Sequence, residues 1–192
     1  MISIAEFGFA LRGLARLARF DAAFVGFFDL SREGALRSFR LAVPLLPIYL
    51  LLVNLNTPWP ATFEMGRIVG AEVIGYALAW TAFPLLLLSI AGKVDFGSRA
   101  FGAIAVYNWL SVLSLGIQLP ITIAAYLGLN PDFAELLGYG VDLFVIACEF
   151  FVFKRLLEIA FEWALALAIV DFILGRAIVY LIIVPLAQGP LF

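Results

Sequence analysis

The chain has 192 residues, 65% of them hydrophobic and 14% charged, with a mean hydropathy of +1.09. A soluble domain carries about 25% charged residues, so an ordinary soluble fold is excluded. A net charge of −2 with no dense basic tract excludes a nucleic-acid partner. The chain has no histidine, the commonest metal ligand and general base, and its single cysteine, Cys148, can form no intrachain disulfide.

The apolar residues fall in blocks near the ~20 needed to cross a bilayer, with room for about five spans and no soluble domain. Ahead of them, residues 3–20 read as an amphipathic helix, with Ile4, Phe7, Leu11, Leu14 and Ala18 at helical spacing on one face. Arg12, Arg16 and Arg19 lie roughly opposite, the arrangement of a helix lying in the headgroup plane of an anionic leaflet. Phe9 falls on the basic side. The helix suits either an anchor that fixes orientation or a docking surface for a partner. The same arginines argue against a cleaved signal peptide, because they interrupt its apolar region.

Residues 21–34 form a linker, and Ser31 suits an N-cap. The first span is expected at about 35–53, with Arg37 and Arg40 snorkelling to the interface and Pro44 and Pro47 kinking it. A turn at 54–60 carries Trp59, an interfacial residue type. The second span, 65–91, presents Gly66 and Gly70, then Ala71 and Gly75, small residues four apart that admit a neighbouring helix. The third, 100–127, contains Asn108, Ser111, Ser114 and Gln118. The fourth, 136–153, follows an acidic loop and ends at the basic turn Lys154-Arg155. The fifth runs over 161–184 and is closed by Pro185.

Lys and Arg cluster before span one, between spans two and three, and after span four. Cytoplasmic loops carry that excess. The expected fold is therefore all-α: a polytopic bundle of five transmembrane helices plus an N-terminal interfacial amphipathic helix, N-terminus cytoplasmic and C-terminus outside. Its segments are 1–34 for the cytoplasmic helix and linker, 35–187 for the membrane domain, and 188–192 for an external tail.

Four ionisable residues stand out within the spans: Glu72, Glu149, Asp171 and Arg176. Each costs a few kcal/mol if it faces lipid, so each should face the bundle. At 1.5 Å per residue, Glu72 and Arg176 lie about 10 and 12–15 Å from the outer end, which predicts an ion pair between spans two and five. Asn108, Glu149 and Asp171 lie roughly 8–15 Å from the cytoplasmic side and are expected to form a polar layer in which one carboxyl stays protonated. Such groups serve either as interhelical glue and subunit contacts or as an ion or substrate path.

No phosphate-binding glycine loop, metal-ligand cluster or nucleophile–base pair is present, so neither enzyme nor cofactor is expected.

The loop Gly92-Lys93-Val94-Asp95-Phe96-Gly97 leads into Ala105-Val106-Tyr107 of the third span. With the five-helix layout, this resembles the bacterial branch of the Yip-type (Ypt/Rab-interacting protein) membrane family, over roughly residues 65–185. The resemblance implies an integral membrane adaptor or organiser without known catalysis, and no functional residue carries over from it. The sequence thus favours a non-enzymatic accessory or structural subunit, packed against a membrane-protein partner or a second copy in the lipid bilayer of a bacterial cytoplasmic membrane. The rival is a small transporter or channel subunit that uses the intramembrane carboxylates as a polar path.

Overall fold

The computed structural model describes residues 4–56, 59, 64–93 and 96–188. Those residues form helices and turns and no strand: α1 (Ile4–Leu17), a 3₁₀ segment (Ala22–Phe27), α2 (Arg32–Ser38), a 3₁₀ turn (Phe39–Leu41), α3 (Ala42–Asn56), α4 (Met65–Ala91), α5 (Arg99–Tyr126), α6 (Pro131–Leu157), α7 (Phe161–Ile178), a π turn (Val179–Ile183) and α8 (Val184–Gln188). Five continuous helical stretches are long and apolar enough to cross a membrane: Arg32–Asn56, Met65–Ala91, Arg99–Tyr126, Pro131–Leu157 and Phe161–Gln188. Helices of that length span about 40 Å, more than the ~30 Å hydrocarbon core. The chain is an integral membrane protein. Val94 and Asp95 of the loop motif, most of the 57–63 turn and residues 189–192 lie outside the described residues.

Local chemistry sets the helix ends. Ser31 caps α2 as expected, its hydroxyl accepting from the Gly34 amide at 3.0 Å. Gly34 has to be glycine, because a Cβ there would collide with the Asp29 carbonyl. The 3₁₀ turn at Phe39–Leu41 comes four residues before Pro44, whose ring would clash with the carbonyl of Arg40 in a regular helix.

Several expected boundaries move: α3 runs on to Asn56, and the expected basic turn Lys154-Arg155 is helical, since α6 ends at Leu157. The fourth span starts at Pro131 rather than 136: Asn130 accepts from the Phe133 amide at 3.0 Å, Pro131 takes the first position, and Asp132 meets the helix dipole. The acidic loop is thus the first turn of α6. Pro185 does not close the fifth helix, because the preceding π turn widens the backbone and the chain continues to Gln188.

Helix α5 is the axis of the bundle. Its first half is buried nearly all round, with Ala100, Ala103, Ile104, Ala105, Val106, Asn108, Trp109 and Leu110 in the core. Phe24, Phe83 and Phe153 are buried around it. Helix α1 joins this core through Ala10, Gly13, Leu14 and Leu17. Its Phe7 ring lies 5.6 Å from Trp109, and Phe20 lies 5.7 Å from Phe151. Ile4, Phe7 and Leu11 of the expected apolar face remain exposed, because the face that packs is rotated towards Ala10 and Leu17. The second half of α5 is less buried, and a cleft lies at its Tyr126 end; another pocket of about 470 Å³, lined by Phe96, Arg99, Glu158 and Trp163 among others, lies at the opposite end.

Candidate functional site

The site begins with spacing on α5. Tyr107, Ser111, Ser114, Gln118 and Thr122 recur at intervals of four, three, four and four, so they share one helix face. Their end of the stripe is joined by Asn56, which donates to the Thr122 hydroxyl at 3.0 Å. Gln118 donates to Ser114 at 3.2 Å.

Two cavities open on this face. At the Tyr126 end, a cleft of about 520 Å³ lies between α3, α5, α6 and α7, with Asn56, Gln118, Thr122, Asp142 and Arg176 in its walls. Deeper in the bundle lies a cavity of about 290 Å³, lined by Tyr49, Tyr76, Trp80, Tyr107, Ser111, Ser114, Gln118 and Glu149 among others. Gln118 borders both. The polar stripe of α5 therefore runs along both.

At the floor of the inner cavity stands Glu149, only 5% exposed. Its carboxyl lies beside that of Asp171 of α7, and Tyr107 donates its phenol proton to Asp171 at 2.9 Å. Two carboxylates this close, with no cation, cannot both ionise cheaply. Glu149 and Asp171 thus come together as the sequence indicates.

Asn108 does not join them. One position further round α5, it faces α2 and donates to the buried Ser38 hydroxyl at 2.9 Å, while its own carbonyl oxygen is buried without a hydrogen-bond partner. Tyr107 occupies the place expected for it.

The expected Glu72–Arg176 ion pair is also corrected. Glu72 accepts from Tyr49 at 2.6 Å, and Arg176 instead pairs with Asp142 of α6 at 2.9 Å. Asp142 is a further ionisable group within the spans, one that sequence reasoning passed over. Its signal was available: it lies seven residues before Glu149, on the same face of α6.

Of the packing glycines, only Gly75 is crowded, since a Cβ there would collide with Ile183 of the π turn. Gly66 and Gly70 are exposed and have open space beside them. Arg12, Arg16 and Arg19 flank a shallow groove with Asp21 and Phe27. Arg16 is held by Asp21 at 2.6 Å, while Arg12 and Arg19 form no ion pair among the described residues. In the linker, the Ala23 amide and then Arg16 hold the Asp21 carboxyl below its usual range. Hydrogen bonds from Ser31, supported by Arg37, do the same for Asp29.

At the Arg99 end, Arg99 bridges to Glu158, the left-handed residue that closes α6, and Lys154 donates to the Ile159 carbonyl at 2.9 Å. Among the described residues no group of three or more His, Cys, Asp or Glu side chains is placed to hold a metal ion.

Compared with protein-family models, curated proteins and solved structures, the chain matches none.

Proposed function

We propose that this chain is a membrane protein of the transport class. Its bundle provides a polar path for a small solute from the Tyr126 end to the Glu149–Asp171 pair. The observation that carries this reading is Gln118, which borders both the end cleft and the inner cavity. A second fact supports it. The intramembrane polar groups Glu72, Asp171 and Arg176 find partners inside the chain, so they do not call for a partner subunit.

The path opens to the outside in this proposal. Lys93, Arg99, Lys154 and Arg155 gather at the opposite end, as cytoplasmic residues do. The N-terminus is then cytoplasmic and the C-terminus outside. Helix α1 lies at that cytoplasmic surface as an amphipathic element, with its exposed Ile4, Phe7 and Leu11, and with Arg12 and Arg19, which form no ion pair among the described residues, available to an anionic leaflet. The proposal includes no catalysis. It places the chain in a bacterial cytoplasmic membrane, and the Yip-type resemblance rests on the quoted motif and the span number.

One observation favours the accessory-subunit reading. Gly66 and Gly70 leave an open strip of α4 on which another helix can pack closely. Copurification of a stoichiometric membrane partner, lost in a Gly70→Leu variant, would establish it.

The path itself is tested by single cysteines in a Cys148→Ala background. Gln118→Cys, Ser114→Cys and Ser111→Cys should react with a charged thiol reagent at rates that fall in that order. Val73→Cys and Ile173→Cys, on the outer face of the bundle, should stay unreacted. Protection of all three cavity positions rules the path out.

A further inference from the structure

The inner cavity has a chemical bias that names its occupant, given the path proposed above. Its wall is aromatic: Tyr49, Tyr76, Trp80 and Tyr107 all line it. The Tyr49 and Tyr76 rings lie 4.9 Å apart, and Tyr76 and Trp80 lie 5.9 Å apart, so they form one continuous surface.

Acidic groups stand on or just behind that surface, and basic ones do not. From α3 comes Tyr49, bonded to Glu72 of α4; from α5, Tyr107, bonded to Asp171 of α7; from α6, Glu149 itself. Arg176, the cation near the middle of the fifth span, belongs to the other cleft and is occupied by Asp142. Among the described residues no N–H group donates to Glu149, which stands beside another carboxyl.

Aromatic rings around an anionic floor attract a cation with apolar surface, through cation–π attraction and the unbalanced carboxyl. A bare divalent metal ion suits the site poorly, because among the described residues no group of three or more His, Cys, Asp or Glu side chains is placed to hold one. The volume of about 290 Å³, against about 30 Å³ for a water in the liquid, holds a ligand of several heavy atoms.

We propose that the cavity binds a small organic cation, an amine or quaternary ammonium compound, with Glu149 as its counter-ion and the rings of Tyr49, Tyr76, Trp80 and Tyr107 as its cage. Binding exchanges charge for charge. Two carboxyls this close keep a proton while no cation is present; when the organic cation enters, both can ionise and that proton passes to water in the cleft, so occupancy and proton release are linked. Glu72, bonded to Tyr49, and Arg176, paired with Asp142, stay as they are.

Choline and its neutral carbon isostere, dimethylbutanol, provide the test on the purified full chain carrying Cys148→Ala and Ser114→Cys. Choline should slow labelling of position 114 at least tenfold, and dimethylbutanol should not. Adding Glu149→Gln should abolish protection while leaving labelling itself intact. Adding Trp80→Leu should raise the choline concentration needed for half-protection about tenfold. On the unlabelled chain, titration calorimetry in buffers of different ionisation enthalpy should show close to one proton released per choline bound. If position 114 labels freely but choline and dimethylbutanol act alike, the cation cage is wrong and the path stands. If it does not label at all and calorimetry shows no choline binding, both fall.

Discussion

Tyr107 of α5 donates to Asp171 of α7 at 2.9 Å, while its neighbour Asn108 faces α2 and bonds Ser38 at 2.9 Å. One residue step on a helix is a 100° turn, and here it separates the lining of a cavity from the cement of a core. Tyr107→Phe should therefore leave the fold intact and alter the carboxyl pair. Asn108→Leu should destabilise the packing of the first span against α5, by about 1–3 kcal/mol for the Ser38 hydroxyl left without its donor. Thermal unfolding in detergent separates the two: a clear fall in Tm for Asn108→Leu and little change for Tyr107→Phe.

The Arg176–Asp142 pair sets up a double-mutant cycle. Arg176→Gln and Asp142→Asn should each lower stability, and the double variant should cost less than their sum by about 0.5–1 kcal/mol. Pairing Arg176→Gln with Glu72→Gln should give additive losses within about 0.5 kcal/mol, since those two groups have separate partners. Coupling in the second cycle would restore the pairing expected from depth alone.

Gly75 and Gly66 should respond in opposite ways to one methyl group. Gly75→Ala drives a Cβ into Ile183 and should cost about 1–3 kcal/mol, recovered in part by Ile183→Val. Gly66→Ala meets nothing and should be neutral or gain up to about 1 kcal/mol from helix propensity. Unfolding midpoints of the three variants decide this.

Acid should loosen the linker. Hydrogen bonds from Ser31, then the charge of Arg37, lower the folded-state carboxyl of Asp29 below its ordinary value of 3.8. A depressed acid contributes stability that is present above the ordinary value and lost as pH falls through the folded one. Hydrogen exchange of the Ser31 and Gly34 amides should therefore stay protected at pH 5 and become exposed as the pH falls below the ordinary 3.8. Asp29→Asn should remove most of that pH step. An unchanged step would mean that another group controls it.

The spans were legible because bilayer length and hydropathy are one-dimensional properties of a chain. The boundaries were less so. Asn130-Pro131-Asp132 has the chemistry of a helix start, yet its polarity reads as a loop, and a π turn that carries a helix through Pro185 leaves no compositional mark. Glu149 and Asp171 could be matched by depth, since both had to avoid lipid. Rotation could not be matched in the same way. Glu72 and Arg176 share a depth but face different neighbours, and only the packed helices show that Tyr49 and Asp142 stand nearer. The cavity was out of reach for the same reason, since its walls come from α3, α4, α5 and α6 at positions that no spacing rule relates.

The most direct measurement is the sidedness of labelling at position 114. In sealed vesicles of known orientation, the Cys148→Ala, Ser114→Cys chain is exposed to a membrane-impermeant thiol reagent from one face at a time. An outward path predicts rapid reaction from the face that carries the α5–α6 turn and none from the face that carries Arg99 and Lys154. Reaction from the Arg99 face, or from neither face, would contradict it.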